Sequence, residues 1–509
     1  VNITLLLDLA AEHYGDRIAL GHPETGISYR ELERRSRVGA AELMRVGARS
    51  LVYVGVNGPA VPVLLFSAAR AGIPFVPLNY RLASTAIDDL IAGLDDPLIV
   101  ADESISQNLT LPQDARGCIT SNDWITRSSV TDAEAVENPD ARESPVAIIL
   151  FTSGTTAKPK GVLLRHENLA SYILSTVDLN GAVSGECVLA SVPPYHVAGM
   201  SGALSNIYSG RRISYLPDFD ADAWLDVVVE ENVTHAMLVP TMLSRVVAAY
   251  RTAPRDLPSL KSIAYGGAKI PERVLHQALE LFPRIEFTNA YGLTETSSTI
   301  ALLSPEDHRI AVASNDTEVR SRLRSVGRLV PGVEAQIRDT DGRVITEAGA
   351  VGELWIRGPQ VSGEYQRTGA ALDAEGWFPT RDRARFDHGG YLFIEGRADD
   401  TIIRGGENIY PAEIERVLQM HSAVADACVF GLPDEDWGER TVAAVVPAQG
   451  IVPDAEEIRS FVRSRLRGSR TPDLVVIRED LPYGPTGKIV RRDLVSETLA
   501  DLEKKEVMQ

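Results

Sequence analysis

The sequence predicts an α/β protein: a large N-terminal domain of α/β subdomains ending in a small β subdomain, then a small α+β C-terminal domain. Three observations predict this. Short apolar runs alternate with helix-period segments through the first two thirds of the chain, the pattern of strands joined by crossover helices. Beyond residue 330 the pattern turns to short alternating runs around tight turns, with Asp341-Gly342 as a hairpin signal. A polar stretch at 396–400 then separates this β-rich region from a fresh mixture of helices and strands. With 509 residues the chain is too long for one hydrophobic core. The expected division is 1–396, with the β subdomain at about 330–396, a boundary segment at 397–400, and a C-terminal domain at 401–509.

Residues 5–13 form an amphipathic helix, and Ser28 opens another whose Leu32, Ser36, Gly39, Leu43 and Val46 make one packing face. Strands are expected at 51–56, 75–78 and 97–101, with a helix at 62–71 between the first two. Residues 102–144 are polar and irregular. The run at 146–151 (VAIILF) reads as a strand buried on both faces. A helix follows at 168–177, then a strand at 234–240, a helix at 241–250, and strands at 262–268 and 285–288. In the C-terminal domain, Pro411 suits the first turn of a helix burying Ile414, Val417 and Leu418. Strands at 424–430, 441–446 and 474–477 surround a helix capped by Asp454 that buries Ile458, Phe461, Val462 and Leu466.

A formal net charge of −19 argues against nucleic acid or an anionic membrane as the main partner, because both reward basic surfaces. Any bound anion must be held by local groups. Cys118, Cys187 and Cys428 lie far apart with no metal-ligand spacing, as expected of unpaired thiols in a reducing compartment. The N-terminal segment lacks a basic flank and is interrupted by acids, unlike a signal peptide. The long apolar region at 52–78 is broken by Asn57, Pro59, Pro62, Arg70 and Pro74, which excludes a membrane span there. The expected location is the cytoplasm.

Directly after the 146–151 run, TSGTTAKPKG (152–161) packs hydroxyls, glycines and lysines into one loop. Glycines let backbone N–H groups approach anionic oxygens, hydroxyls donate, and lysines supply compact charge. A polar surface turn is the competing reading. The loop is not a Walker A motif, since neither lysine stands between a glycine and a following Ser or Thr. Further on, His196 lies beside an apolar stretch, where a structural histidine is the ordinary reading. The strand at 262–268 ends in Gly266 and Gly267, which would let a flat ligand or another backbone lie close. Residues 289–296 (NAYGLTET) put an aromatic, a glycine, hydroxyls and a carboxylate together after a strand. Lys488, flanked by glycine, sits on a surface loop where a solvated lysine is the bland alternative.

Taken in order, these segments resemble the adenylate-forming superfamily, in its acyl-CoA synthetase branch. The resemblance spans almost the whole chain. It runs from SYREL (28–32) and VPLN (76–79) through the 152–161 loop, PYH (194–196), YGLTE (291–295), TRD (380–382) and GR (396–397) to PTGK (485–488). It implies an acid–thiol ligase using ATP, Mg²⁺ and coenzyme A: a carboxylate attacks the α-phosphorus of ATP, and a thiol then takes the acyl group from the adenylate. Thr152, Ser153, Gly154, Thr155, Thr156 and Lys160 are implied at the β- and γ-phosphates, Glu295 at Mg²⁺, and Thr294 at the α-phosphate. Gly266, Gly267, Ala268, Asn289, Ala290, Tyr291 and Gly292 are implied around adenine, and Asp382 and Arg397 at the ribose. Lys488 is implied to bridge the substrate carboxylate and the α-phosphate. The C-terminal domain is implied to be mobile, turning about a hinge at Asp399 so that Arg404, Gly405 and Gly406 line the pantetheine path.

Two positions depart from the family pattern, which has glycine where this chain has Ala157 and Arg381. His196 occupies the place where amino-acid adenylation domains carry an aspartate for the substrate ammonium, which favours an acid without an α-amino group. His196, Val197, Met200, Met242, Leu293 and Ile300 are expected to shape an acyl pocket with apolar walls, for a fatty, alicyclic or aromatic monocarboxylic acid. Arg165 or Arg245 would change that preference by facing the pocket. The alternatives are a stand-alone enzyme loading a carrier protein and a catalytically silent nucleotide- or acyl-binding homologue. The expected partners are the small-molecule acid, ATP and CoA, with a homodimer as the oligomer considered.

Overall fold

The computed structural model describes residues 1–130, 145–152, 159–179, 181–434, 436–466, 468–484 and 488–507. It contains the expected helix after Ser28, whose hydroxyl accepts from the Glu31 N–H at 3.2 Å and caps Tyr29–Val46. Leu32, Ser36, Gly39 and Leu43 are buried on one face of it. The helix Ala60–Ala71 is buried at every position except Arg70, as a helix must be when it has no solvent side.

The reason is its place between two sheets. One core cluster joins helices Thr4–Tyr14, Tyr29–Val46, Ala60–Ala71 and Val197–Ser209 to Leu51, Phe75 and Ile148 of an eight-stranded sheet and to Val188 and Ile213 of a nine-stranded one. Both sheets are parallel at their centres; the nine-stranded sheet is antiparallel at both edges, the eight-stranded one at one edge only. In the nine-stranded sheet, Cys187–Ala190, Arg212–Tyr215, His235–Leu238, Ser262–Gly266 and Glu286–Leu293 run parallel, and Ser298–Leu303 and Arg328–Leu329 complete one edge antiparallel. In the other sheet, Ser50–Val54, Phe75–Pro77, Pro97–Ala101 and Val146–Thr152 run parallel, and Lys160–Arg165 returns antiparallel to Val146–Thr152.

The β subdomain is an antiparallel five-stranded sheet of Val344–Ile345, Glu334–Arg338, Gly352–Arg357, Phe378–Phe386 and Leu392–Arg397. The small C-terminal domain has its own sheet, dominated by the pair Val424–Asp434 and Gly438–Pro447. Alternate residues of that pair face opposite ways. Ala427, Val429 and Ala443 pack with Ile414, Val417 and Ile458. Cys428, Phe430 and Val442 pack on the other side with Leu494. Among the described residues no helix is long and apolar enough to cross a membrane.

Three local expectations need correction. Within 102–144, Gly117–Thr120 is a strand parallel to Pro97–Ala101, and helix Ser121–Ser128 carries Trp124 into the core. The strand lies at a sheet edge and is half-buried throughout, so it lacks the apolar run by which buried strands are read. The C-terminal helix Arg491–Val507 was not expected, because its apolar residues are sparse. Pro240 begins a helix and does not end a strand: Pro240–Thr252 carries it at the first position, where its missing N–H costs nothing.

Candidate active site

Val146–Thr152 and Lys160–Arg165 pair with Thr152 opposite Lys160, so the hydroxyl-rich loop closes a hairpin. Ser153, Gly154, Thr155 and Thr156, with Ala157, lie outside the described residues. Thr152 is half-buried and Lys160 exposed. The returning strand is joined on its other side by Glu364–Tyr365, with Tyr365 opposite Val162. This pairing brings the Tyr365 ring within 5.8 Å of Lys160 Nζ, and the Tyr365 hydroxyl donates to Glu295 Oε1 at 2.9 Å. Burial, and after it the neighbouring Glu295 carboxylate, push the phenol well above its ordinary range, so Tyr365 remains a donor. Arg165 is occupied by a two-point pair with Glu364, at 2.9 and 3.1 Å.

Glu295 sits in a single 3₁₀ turn, Thr294–Thr296, that breaks the path between Glu286–Leu293 and Ser298–Leu303. The next residues, Ser297 and Ser298, have φ of +58° and +147°. The turn is held against that strain from both sides. The buried Thr296 hydroxyl donates to the Ser298 carbonyl at 2.7 Å, and the Glu295 carbonyl accepts from Ser362 and Gly363 N–H at 2.9 and 3.1 Å. Thr294 and Glu295 are thereby presented at the carboxyl end of a parallel strand, where open α/β sheets bind ligands.

Beside this turn, Gly266 pairs with Ala290 so closely that a Cβ at 266 would lie 2.1 Å from the Ala290 carbonyl oxygen. Gly267 follows at φ +85°. Together they leave a low wall at the strand ends. Asn289 directs its amide to the Ser325 carbonyl at 3.2 Å and so braces this wall from behind. The Tyr291 hydroxyl donates to Asp382 Oδ2, and Arg397 Nη1 donates to Asp382 Oδ1 at 3.1 Å and to the Thr380 carbonyl at 3.2 Å. Asp382 is only 5% exposed. Asp399 stands 3.9 Å from Arg397.

The remaining candidates lie on the small domain and around the acyl region. Gly405 and Gly406, at φ +57° and +80°, close the turn between Ile402–Arg404 and Glu407–Ile409. Arg404 pairs with Asp473 at 2.8 Å, and its guanidinium lies 4.9 Å from the Trp437 ring. Lys488 is exposed, in a hairpin where Tyr483 bridges Ile489. Three residues on, Arg491 pairs with Asp400 and Glu415, both at 2.7 Å, tying that hairpin's base to the boundary segment.

His196 precedes helix Val197–Ser209, its ring 4.6 Å from Tyr195. Behind this helix lies a mostly apolar cavity of about 60 Å³, bordered by Val61, Val192, Gly199, Met200 and Met237. Of the expected pocket residues, Met200 borders it, and His196 and Val197 fall in the segment between two of its walls. Met242 packs half-buried on a different cluster. Ile300 is wholly buried in the β-subdomain core with Ile337 and Leu354, and Leu293 packs partly against that core. Arg245 is exposed on its helix.

The family model described as AMP-binding enzyme matches residues 7–366, and that described as AMP-binding enzyme C-terminal domain matches 413–488. The chain belongs to the AMP-binding enzyme family. It is 33% identical over 502 residues to an indoleacetate–CoA ligase of Aromatoleum aromaticum, covering 95% of each chain. It is 31% identical over 497 residues to a fatty acid–[acyl-carrier-protein] ligase of Streptomyces coeruleorubidus, covering 94% of this chain and 93% of the other. Its structure is similar to that of the o-succinylbenzoate CoA synthetase of Bacillus subtilis in complex with its acyl-adenylate intermediate. That match has a TM-score of 0.80 and 27% identity, covering 96% and 97% of the two chains.

Within this AMP-binding enzyme, two contributors escaped the sequence reading. Tyr365 stands in a two-residue strand, too short for any periodicity to reveal. Thr380 carries no signal beyond its place in the TRD motif, yet its hydroxyl accepts from the Asp382 N–H at 3.1 Å and donates to the Leu354 carbonyl at 2.7 Å. For a metal, no group of three or more His, Cys, Asp or Glu side chains gathers among the described residues. The half-buried Glu295 carboxylate, oriented by Tyr365, is a hard oxygen donor. It fits a Mg²⁺ ion held by one protein carboxylate with the oxygens of a bound polyphosphate.

Proposed function

We infer that the chain is an ATP-dependent acyl-CoA synthetase, an AMP-forming acid–thiol ligase. One observation carries the reading: residues 291–295 join two hydrogen-bonded sets, Tyr291 with Asp382 and Arg397, and Glu295 with Tyr365. A buried carboxylate that accepts hydrogen bonds and a second carboxylate held by Tyr365, whose ring lies near Lys160, thus stand at the two ends of one short segment, an arrangement that suits a nucleotide polyphosphate.

In the first half-reaction, a carboxylate oxygen attacks the α-phosphorus, the bond to the bridging oxygen breaks, and pyrophosphate leaves. Both reactants are anions, so fixed donors and cations supply most of the catalysis. Thr152, Ser153, Gly154, Thr155, Thr156 and Lys160 hold the β- and γ-phosphates, and Thr294 contacts the α-phosphate. Asp382 accepts from the ribose hydroxyls, while Arg397 and Tyr291 keep its carboxylate in place. Gly266, Gly267, Ala268 and residues 289–292 enclose the adenine. Glu295 would hold Mg²⁺, which supplies charge neutralisation when bound. Lys488 reaches the carboxylate and the α-phosphate from the small domain.

In the second half-reaction, the thiol of CoA loses its proton, its sulfur attacks the acyl carbon and AMP departs. Residues 401–509 turn as one body about Asp399, withdrawing Lys488 and presenting Arg404, Gly405 and Gly406 to the pantetheine arm. Supporting this division, Arg491 fastens the Lys488 hairpin to Asp400, just beyond the hinge. The acid is a fatty, alicyclic or aromatic monocarboxylate. The support is the mostly apolar cavity behind helix Val197–Ser209, together with the engagement of Arg165 by Glu364 and the exposure of Arg245. The enzyme works in the cytoplasm, in keeping with its unpaired Cys187 and Cys428.

The test is pyrophosphate release and CoA-thioester formation across fatty, aryl, alicyclic and dicarboxylic acids. Activity confined to dicarboxylic acids would overturn the acyl assignment. Likeness to a ligase named for an acyl-carrier protein makes a carrier the second acceptor to try. Transfer to a carrier with none to CoA would favour that reading.

A further inference from the structure

Arg381 is the residue of the nucleotide cleft that these roles leave unexplained. Its φ of +63° lies in the left-handed region, which side chains other than glycine rarely adopt. A bulge imposes it: Glu353 pairs with Arg383 and Trp355 with Pro379, so 380, 381 and 382 together face residue 354. Thr380 pins the bulge through its bonds to the Leu354 carbonyl and the Asp382 N–H. The outcome is a split. Asp382 turns inward, whereas the Arg381 side chain remains 59% exposed at the rim.

Among the described residues the guanidinium has no firm partner. Its Nε stands 4.0 Å from Glu353 Oε1, beyond hydrogen-bond reach, and that buried oxygen accepts no hydrogen bond. An ion pair this long, with one exposed partner, contributes little. The Arg381 charge is also felt at the Tyr365 hydroxyl, where with Arg397 it works against the upward push of burial. Arg381 directly precedes Asp382 on the strand that meets Arg397 and Tyr291. In a chain of net charge −19, an unengaged guanidinium at that rim is a site for phosphoryl oxygens, which it meets with paired, charge-assisted hydrogen bonds.

We propose that Arg381 is a phosphate-binding residue, which leaves Glu353 to grip phosphoryl oxygens of a substrate nucleotide, either the polyphosphate of ATP or the phosphates of CoA. The proposal rests on the ATP-dependent reading above. The bulge sets the arginine beside the ribose-binding aspartate, so its grip adds to nucleotide affinity without contributing to bond breaking.

The experiment compares wild type, Arg381→Gly and Arg381→Lys in steady-state kinetics and in calorimetric titration of ATP and of CoA, at low and high salt. Glycine suits the backbone and removes the charge; lysine keeps the charge. The expected result for Arg381→Gly is a rise of about tenfold in KM and in dissociation constant for one nucleotide, with kcat kept within about twofold. Salt weakens wild-type binding more than variant binding, and Arg381→Lys recovers most of the loss. A change for ATP alone assigns the polyphosphate; a change for CoA alone assigns its phosphates. Unchanged affinity for both overturns the proposal, as does a fall in kcat that lysine does not rescue. Titration needs no turnover, so absence of ligase activity in the wild type would count against the proposed function and leave the Arg381 result legible.

Discussion

The Tyr365 hydroxyl donates a 2.9 Å hydrogen bond to Glu295 Oε1 across 70 residues of sequence. Tyr365 is itself anchored to the strand that leaves the hydroxyl-rich loop, by pairing with Val162. A single side chain thus links the carboxylate proposed for Mg²⁺ to the element proposed for the β- and γ-phosphates.

Tyr365→Phe removes that bond and little else. A hydrogen bond to a charged group contributes about 1.5–3 kcal/mol, so a loss of roughly 10- to 100-fold in the adenylation rate is expected. The Mg²⁺ concentration for half-maximal ATP–pyrophosphate exchange should rise, with the acid KM unchanged. An unaltered Mg²⁺ dependence would separate Tyr365 from Glu295.

Lys488→Ala should split the two half-reactions. Losing one charge-stabilising donor costs about 3 kcal/mol of barrier, a few-hundred-fold in acyl-adenylate formation. Thioester formation from supplied acyl-adenylate and CoA should survive. Equal loss in both assays would contradict a lysine that withdraws between steps.

Arg397→Ala leaves the carboxylate of Asp382, 5% exposed, with Tyr291 but without its cation. Because the arginine is itself 41% exposed, the cost lies below that of breaking a fully buried pair, at about 1–2 kcal/mol. ATP KM should rise roughly tenfold, and Arg397→Lys should recover only part of it, since the shorter, more strongly hydrated ammonium does not replace the planar guanidinium that places Nη1 at both Asp382 and the Thr380 carbonyl.

Acid sensitivity should have a contribution from His166. Burial lowers its pKa from 6.5 to about 4, and its Nε2 is buried without a hydrogen bond. A depressed folded-state value means that the unfolded chain binds the proton more readily. Above pH 6.5 the group has no effect. Between about 6.5 and 4 stability falls as pH falls, by up to about 3 kcal/mol, and below 4 the contribution levels off. Urea midpoints measured from pH 7.5 to 4.5 should drop less steeply in His166→Gln. Parallel curves would remove His166 from the account.

The sequence by itself determined the alternation of strands and helices, the change of pattern at residue 330 and the hydroxyl-rich composition of residues 152–161. It also singled out the run from Asn289 to Glu295 as a candidate site, and the resemblance of its ordered motifs implied the chemistry. These are properties of near neighbours in the chain, and burial on one face imprints them as periodicity. The edge strand Gly117–Thr120 and the two-residue strand holding Tyr365 carry no such imprint. Ile300, expected at a pocket wall, went to the β-subdomain core because the pairing of Ser298–Leu303 turns it there.

Only the tertiary structure decided who meets whom. Asp382 meets Arg397 and Tyr291 because Phe378–Phe386 lies against Leu392–Arg397 in one register and beside the end of Glu286–Leu293. Glu295 meets Tyr365 because the strand Glu364–Tyr365 returns to pair with Lys160–Arg165. Arg381 shows the division most clearly. Its identity is plain in the sequence, but its left-handed backbone and outward side chain come from a bulge that two paired strands impose together. Register is a relation between distant segments, and no local pattern of residues encodes it.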